Sequence, residues 1–173
     1  MRGQTKKISL CGIFSALAIS IMFLGTIFEA FDLSSVAFAS FTVFVISQIY
    51  DCKWGICQYL LIALLSSLFF FGKFVFLVFI TIGYYPIVKD IIDRHLKNKL
   101  LKIALKLFFF NLGVTLLLFL GKNFLFGIDS NGNIALFDFL ISYLFANIFI
   151  LLYDLVCDKI MIKYKKVFLL LLK

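Results

Sequence analysis

One proline, one histidine and one tryptophan occur in 173 residues, and charged side chains make up only 15% of the chain. These scarcities close off several classes of function. His95 has no second imidazole with which to share a metal ion or relay a proton. The motifs HExxH, GxSxG and GxxxxGK[ST] are all missing, so zinc-protease, serine-hydrolase and P-loop chemistry lack their residues. Cysteine is also sparse: of Cys11, Cys52, Cys57 and Cys157, only Cys52 and Cys57 lie close together, and no second pair completes a zinc framework. Free thiols are expected. The reading is of a non-enzyme with no catalytic residues, no metal and no cofactor.

What the chain does have is hydrocarbon. Apolar residues make up 64%, with 24 Phe and a mean hydropathy of +1.11, against about 45–50% apolar in ordinary globular chains. A soluble domain of this size cannot bury that much apolar surface, so the expected solvent is a lipid bilayer. Six blocks are candidates for crossing its hydrocarbon core of about 30 Å. They run approximately over residues 8–28, 33–50, 54–71, 74–88, 100–121 and 134–156. The fourth is the shortest, and crosses only if the helix continues through Pro86 or the bilayer is locally thin. The first run exceeds the roughly 7–15 apolar residues of a signal peptide and is read as a span.

Positive charge sets the orientation, because Lys and Arg in short loops stay on the cytoplasmic side. With the N-terminus inside, 15 of the 17 basic residues fall on inner segments, and only Lys73 and Lys122 fall outside. The fold class is therefore all-α: a polytopic bundle of six transmembrane helices, with both termini cytoplasmic, in the cell membrane. Residues 89–99 form a basic cytoplasmic loop and 157–173 a basic cytoplasmic tail. The net charge of +8 is then explained by anionic lipid headgroups, with no nucleic acid required. The stretch "GYYPIVKDIIDRHLKNKL" reads as an exit from the membrane. Tyrosines sit at headgroup depth, Pro86 makes a bend, and a basic amphipathic helix follows along the inner surface. On that helix Asp90 or Asp93 would approach Lys97.

Polar groups within spans are costly and mark sites by default. Asn111 and Asn147, near mid-depth, are candidates for a bond between the fifth and sixth spans, and Thr115 shares the face of Asn111. Tyr143, Asn147 and Asp154 share a second face, and Gln48 and Gln58 are read as ties between neighbouring helices. The outer side gathers Glu29, Asp32, Asn123 and Asp138 around the polar loop "GKNFLFGIDSNGNI". That loop reads equally as the cap of a small-solute pocket and as a solvated turn. In the first span, Gly12, Ala16 and Ser20 recur every four residues, a stripe on which another helix can approach closely.

The basic lead and first span "TKKISLCGIFSALAIS", six spans in a short chain and a polar outer face resemble the substrate-binding S components of energy-coupling factor transporters. The family's Ala-x-x-x-Ala pattern stands here as Gly12-x-x-x-Ala16. The segment "FITIGYYPIVKDIIDRHLKNKLLKIALKLFFFN" is also similar to small membrane proteins of Gram-positive bacteria whose activity is uncharacterised. The first resemblance implies a vitamin-like micronutrient captured in the outer half; depth and polarity, with no matched family motif, select Glu29, Asp32, Asn123 and Asp138 as its solute contacts. It also implies that Gly12, Ala16 and Ser20 dock on a transmembrane T component linked to ATPase subunits. The competing reading is a membrane scaffold of the cell envelope, similar in size and layout to the rod-shape-determining six-span proteins.

Overall fold

The computed structural model describes residues 2–28, 31–70, 74–125 and 136–171, and side chains within them at 4–28, 31–69, 74–120 and 143–163. Its helices are α1 (Arg2–Ile27), α2 (Asp32–Ile49), α3 (Cys52–Phe70), α4 (Phe74–Ile82), α5 (Tyr85–His95), α6 (Lys99–Leu125) and α7 (Leu136–Leu171). No strand occurs among the described residues. By length and composition, five stretches among them are fit to cross a membrane, one of which joins α4 to α5 over Phe74–His95. The expected apolar blocks and the helices coincide to within a few residues at most ends, with two differences. The last helix runs unbroken to Leu171, so at about 1.5 Å per residue its length exceeds the hydrocarbon core. The fourth span also extends further than expected, through α5 to His95.

That extension changes the architecture. The segment read as a surface helix is drawn into the bundle: Tyr85, Pro86, Ile87, Lys89, Asp90 and Ile92 are all buried. Pro86 stands in the first turn of α5, where its missing N–H leaves nothing unsatisfied. The break before it is short and closely supported. Gly83 donates to the Phe79 carbonyl at 2.7 Å, and a Cβ at Gly83 would stand 2.4 Å from that same oxygen. Beside the break, the Ile80 carbonyl accepts from the Tyr59 hydroxyl of α3 at 2.8 Å. Tyr84 donates to the Phe109 carbonyl of α6 at 2.7 Å. Backbone polar groups loosened by a kink need partners inside a bilayer; the Tyr59 side chain supplies one at the Ile80 carbonyl, and the Tyr84 hydroxyl ties the break to α6.

Two apolar cores hold the bundle. In the larger, Val75, Val78 and Phe79 of α4 pack with Ala18 and Met22 of α1, Val36, Ala39 and Val43 of α2, and Ile62 of α3. The smaller joins Tyr85 of α5, Phe110 and Val114 of α6, and Ile150 of α7. Between them α6 comes very close to α4: a Cβ on Gly113 would lie 2.4 Å from the Thr81 carbonyl oxygen. Helix α2 is the hub, touching α1, α3, α4, α5 and α7. Many large apolar side chains face outward, among them Leu64, Leu68, Phe119 and Phe145, as expected where lipid replaces water as the solvent.

Candidate functional site

The two cores do not close completely on each other. A cavity of about 610 Å³, partly open to the outside, lies between α2, α4, α5, α6 and α7. Its wall draws on both cores, with Val36 and Val78 from one and Phe110, Val114 and Ile150 from the other. Among the described residues the lining is almost wholly aliphatic and aromatic carbon, with Ser40, Tyr85 and Tyr153 carrying a polar side-chain atom. The tyrosine rings pack edge to face, Tyr85 against Phe110 at 5.6 Å and against Tyr153 at 6.3 Å. The Tyr85 hydroxyl is already engaged, donating to Asp154 Oδ1 at 2.9 Å. The rings therefore contribute to the wall while this hydroxyl serves a second structure.

That second structure is an ionic cluster joining α5, α6 and α7. Lys89 is fully buried. Its ammonium nitrogen lies 2.8 Å from Asp158, 3.3 Å from Asp154 and 3.7 Å from Asp93, and 5.9 Å from the ring centre of Phe44. Lys106 of α6 reaches Asp93 at 2.9 Å and Asp154 at 3.3 Å, and Lys102 reaches Asp93 at 3.6 Å. Among the described residues the cations Lys89, Lys102 and Lys106 thus match the anions Asp93, Asp154 and Asp158 one for one. Taking a charge out of water costs several kcal/mol per ion unless it is well paired, and the cluster meets that condition with its own residues.

A second knot forms around the buried carboxylate of Asp90. It accepts from Ser47 at 2.5 Å, Cys52 at 2.9 Å, Arg94 at 2.8 Å and the Gln48 amide. Arg94 also donates to the Ser47 carbonyl at 2.9 Å, so the knot ties α5 to α2 and to the start of α3. The role of Gln48 as a helix tie is seen here. Gln58 likewise links α3 to α2 by donating to Thr42 at 3.4 Å. The pairing of Asp90 or Asp93 with Lys97 does not form. Helix α5 ends at His95, Leu96 is extended, and Lys97 has left the helical face. Asp93 instead meets the three lysines and Asp90 meets Arg94.

The bond between the last two spans is made by other residues than the asparagines. Thr115 of α6 and Tyr143 of α7 share a hydrogen bond of 2.5 Å. The Asn147 amide donates to its own helix at Tyr143, and the Oδ1 atoms of Asn111 and Asn147 are buried without a hydrogen-bond partner. Tyr143 and Asp154 do turn to the same neighbours, reaching α6 and, for Asp154, α5 as well.

Of the outer residues proposed as solute contacts, Glu29 lies outside the described residues, and the side chains of Asn123 and Asp138 are not described. Asp32 opens α2, where a carboxylate favours the helix start; it is not among the residues lining the cavity. On α1, the packed face is Cys11, Ser15, Ala18 and Met22, whereas Gly12, Ala16 and Ser20 are exposed. A Cβ at Gly12 would meet nothing within 4 Å. The four cysteines are free.

The sequence reading missed the cavity, because carbon that lines a hollow and carbon that faces lipid look alike in a sequence. It also missed the partnership of Lys89 with Asp154 and Asp158, whose only signal was their cost in a membrane. Comparison with protein-family models, with curated proteins and with solved structures finds no match.

Proposed function

We propose that the chain is the substrate-binding membrane subunit of an uptake transporter for a small, vitamin-like micronutrient, and that the ligand sits among α2, α4, α5, α6 and α7. The observation that carries this reading is the cavity of about 610 Å³, which falls within the 300–1,000 Å³ typical of small-molecule sites. In the orientation set by Lys and Arg, its lining starts at Leu33 and Phe74, near the outer ends of α2 and α4, and descends to Tyr85 and Tyr153. Ligand is captured from the outer half, above the ionic cluster.

Release to the inside requires energy, and the chain has no nucleotide motif. The reading therefore includes a transmembrane T component and ATPase subunits as partners. The exposed stripe of Gly12, Ala16 and Ser20 is the proposed docking face, on a helix whose opposite face holds the bundle together. Purification of the tagged chain from its native membrane in mild detergent, with mass spectrometry of co-purifying proteins and extracted small molecules, tests this. A T component with ATPases, or one stoichiometric small molecule, is expected. Cell-envelope or division proteins with no small molecule would move the assignment to a scaffold.

A further inference from the structure

The chemistry of the wall narrows the ligand further, and the argument rests on the cavity being the ligand site. A charged ligand would need a fixed opposite charge beside it. Beyond the tyrosine floor stand the ionised groups of the cluster, whose lysines and aspartates answer one another. On the floor, the Tyr85 hydroxyl is committed to Asp154, and the Tyr153 hydroxyl is buried without a hydrogen-bond partner. Apart from these tyrosines and Ser40, the described part of the wall is carbon, typified by Val36, Val78, Phe110, Val114, Phe149 and Ile150.

Size follows by proportion. An apolar cavity of roughly 150 Å³ holds one benzene, so one of about 610 Å³ accommodates up to about 24 carbon atoms on the same scale. Shape follows from competition with the solvent. Lipid tails are as apolar as leucine, so hydrocarbon gains little from leaving them. A flexible acyl chain would also lose rotational freedom on being held. A branched or ring-bearing molecule loses less, and it presents rigid faces to the aromatic side chains of the wall.

We propose that the cavity takes a neutral, largely hydrocarbon molecule, branched or ring-bearing, drawn from the lipid phase. The test uses the full chain in bilayer discs and two photoactivatable probes, a diazirine derivative of the isoprenoid alcohol geranylgeraniol and one of oleic acid, with labelled residues mapped by mass spectrometry. The isoprenoid probe is expected to label the buried lining residues Phe110, Val114 and Ile150 saturably, and unlabelled geranylgeraniol to compete. Both probes are expected to label the outward-facing Leu64 and Leu68 of α3 in simple proportion to their concentration. Val114→Trp and Ala146→Trp, which fill the cavity from different helices, are expected to abolish cavity labelling while the α3 signal persists.

Cavity labelling that does not saturate, or that oleic acid matches, would show ordinary membrane lipid there and overturn the proposal. Absence of cavity labelling in the wild-type chain would do the same. A saturable isoprenoid site in a chain that recovers no transporter partners would remove the uptake reading and leave this one standing. Recovery of those partners with a cavity indifferent to the isoprenoid probe would do the reverse.

Discussion

Lys89 is the residue on which the electrostatics of the bundle turn. Its side chain is completely buried, and its three carboxylate neighbours come from its own helix and from α7. Removing one partner of a buried pair leaves uncompensated charge and costs about 3–5 kcal/mol. Lys89→Met is therefore expected to lower the thermal midpoint in detergent strongly. The exposed Lys159 provides the comparison, since Lys159→Met is expected to change stability by less than about 0.5 kcal/mol. Added salt should not reproduce the Lys89→Met loss in the wild-type chain, because buried pairs are screened little. A Lys89→Met chain as stable as wild type would mean that the cluster does not hold α7.

Among the elements, α4 and α5 show what the sequence could and could not reveal. The apolar run Phe74–Ile82 was legible, as were most limits of α1, α2, α3 and α6, because each is a block of hydrocarbon bounded by charge or turn residues. The continuation through Lys89, Asp90, Asp93 and Arg94 read as a surface helix because hydropathy counts charges one at a time. The partners that neutralise Lys89 stand on α7, 65 and 69 positions further along at Asp154 and Asp158, a separation no local pattern reports. The small-residue stripe of α1 was visible from spacing alone, but spacing did not say whether it faced the bundle or the outside. A prediction belongs to the contact that sets the spacing of α6 and α4. Gly113→Ala puts a methyl group 2.4 Å from the Thr81 carbonyl oxygen, and overpacking of this kind costs about 1–3 kcal/mol. Gly12→Ala meets open space, so its thermal midpoint is expected to match or slightly exceed that of wild type. Equal midpoints for both variants would contradict the close approach of the two helices.

At the scale of the whole molecule, the apolar cores and the charged cluster divide the work. The larger core fixes α1, α2, α3 and α4, while α7 is held by the smaller core, the Thr115–Tyr143 bond and the ion pairs of Asp154 and Asp158. The cavity occupies the junction of these two parts. Its floor residue Tyr85 belongs to both systems, ring to the wall and hydroxyl to Asp154. This junction is proposed as a binding site rather than a packing defect. That role is tested most directly by native mass spectrometry of the wild-type and Val114→Trp chains released from bilayer discs. The wild-type chain is expected to carry a single additional small molecule at one-to-one ratio, and Val114→Trp, still folded by circular dichroism, to carry none. Identical masses for the two chains, with only variable numbers of phospholipids attached, would contradict it.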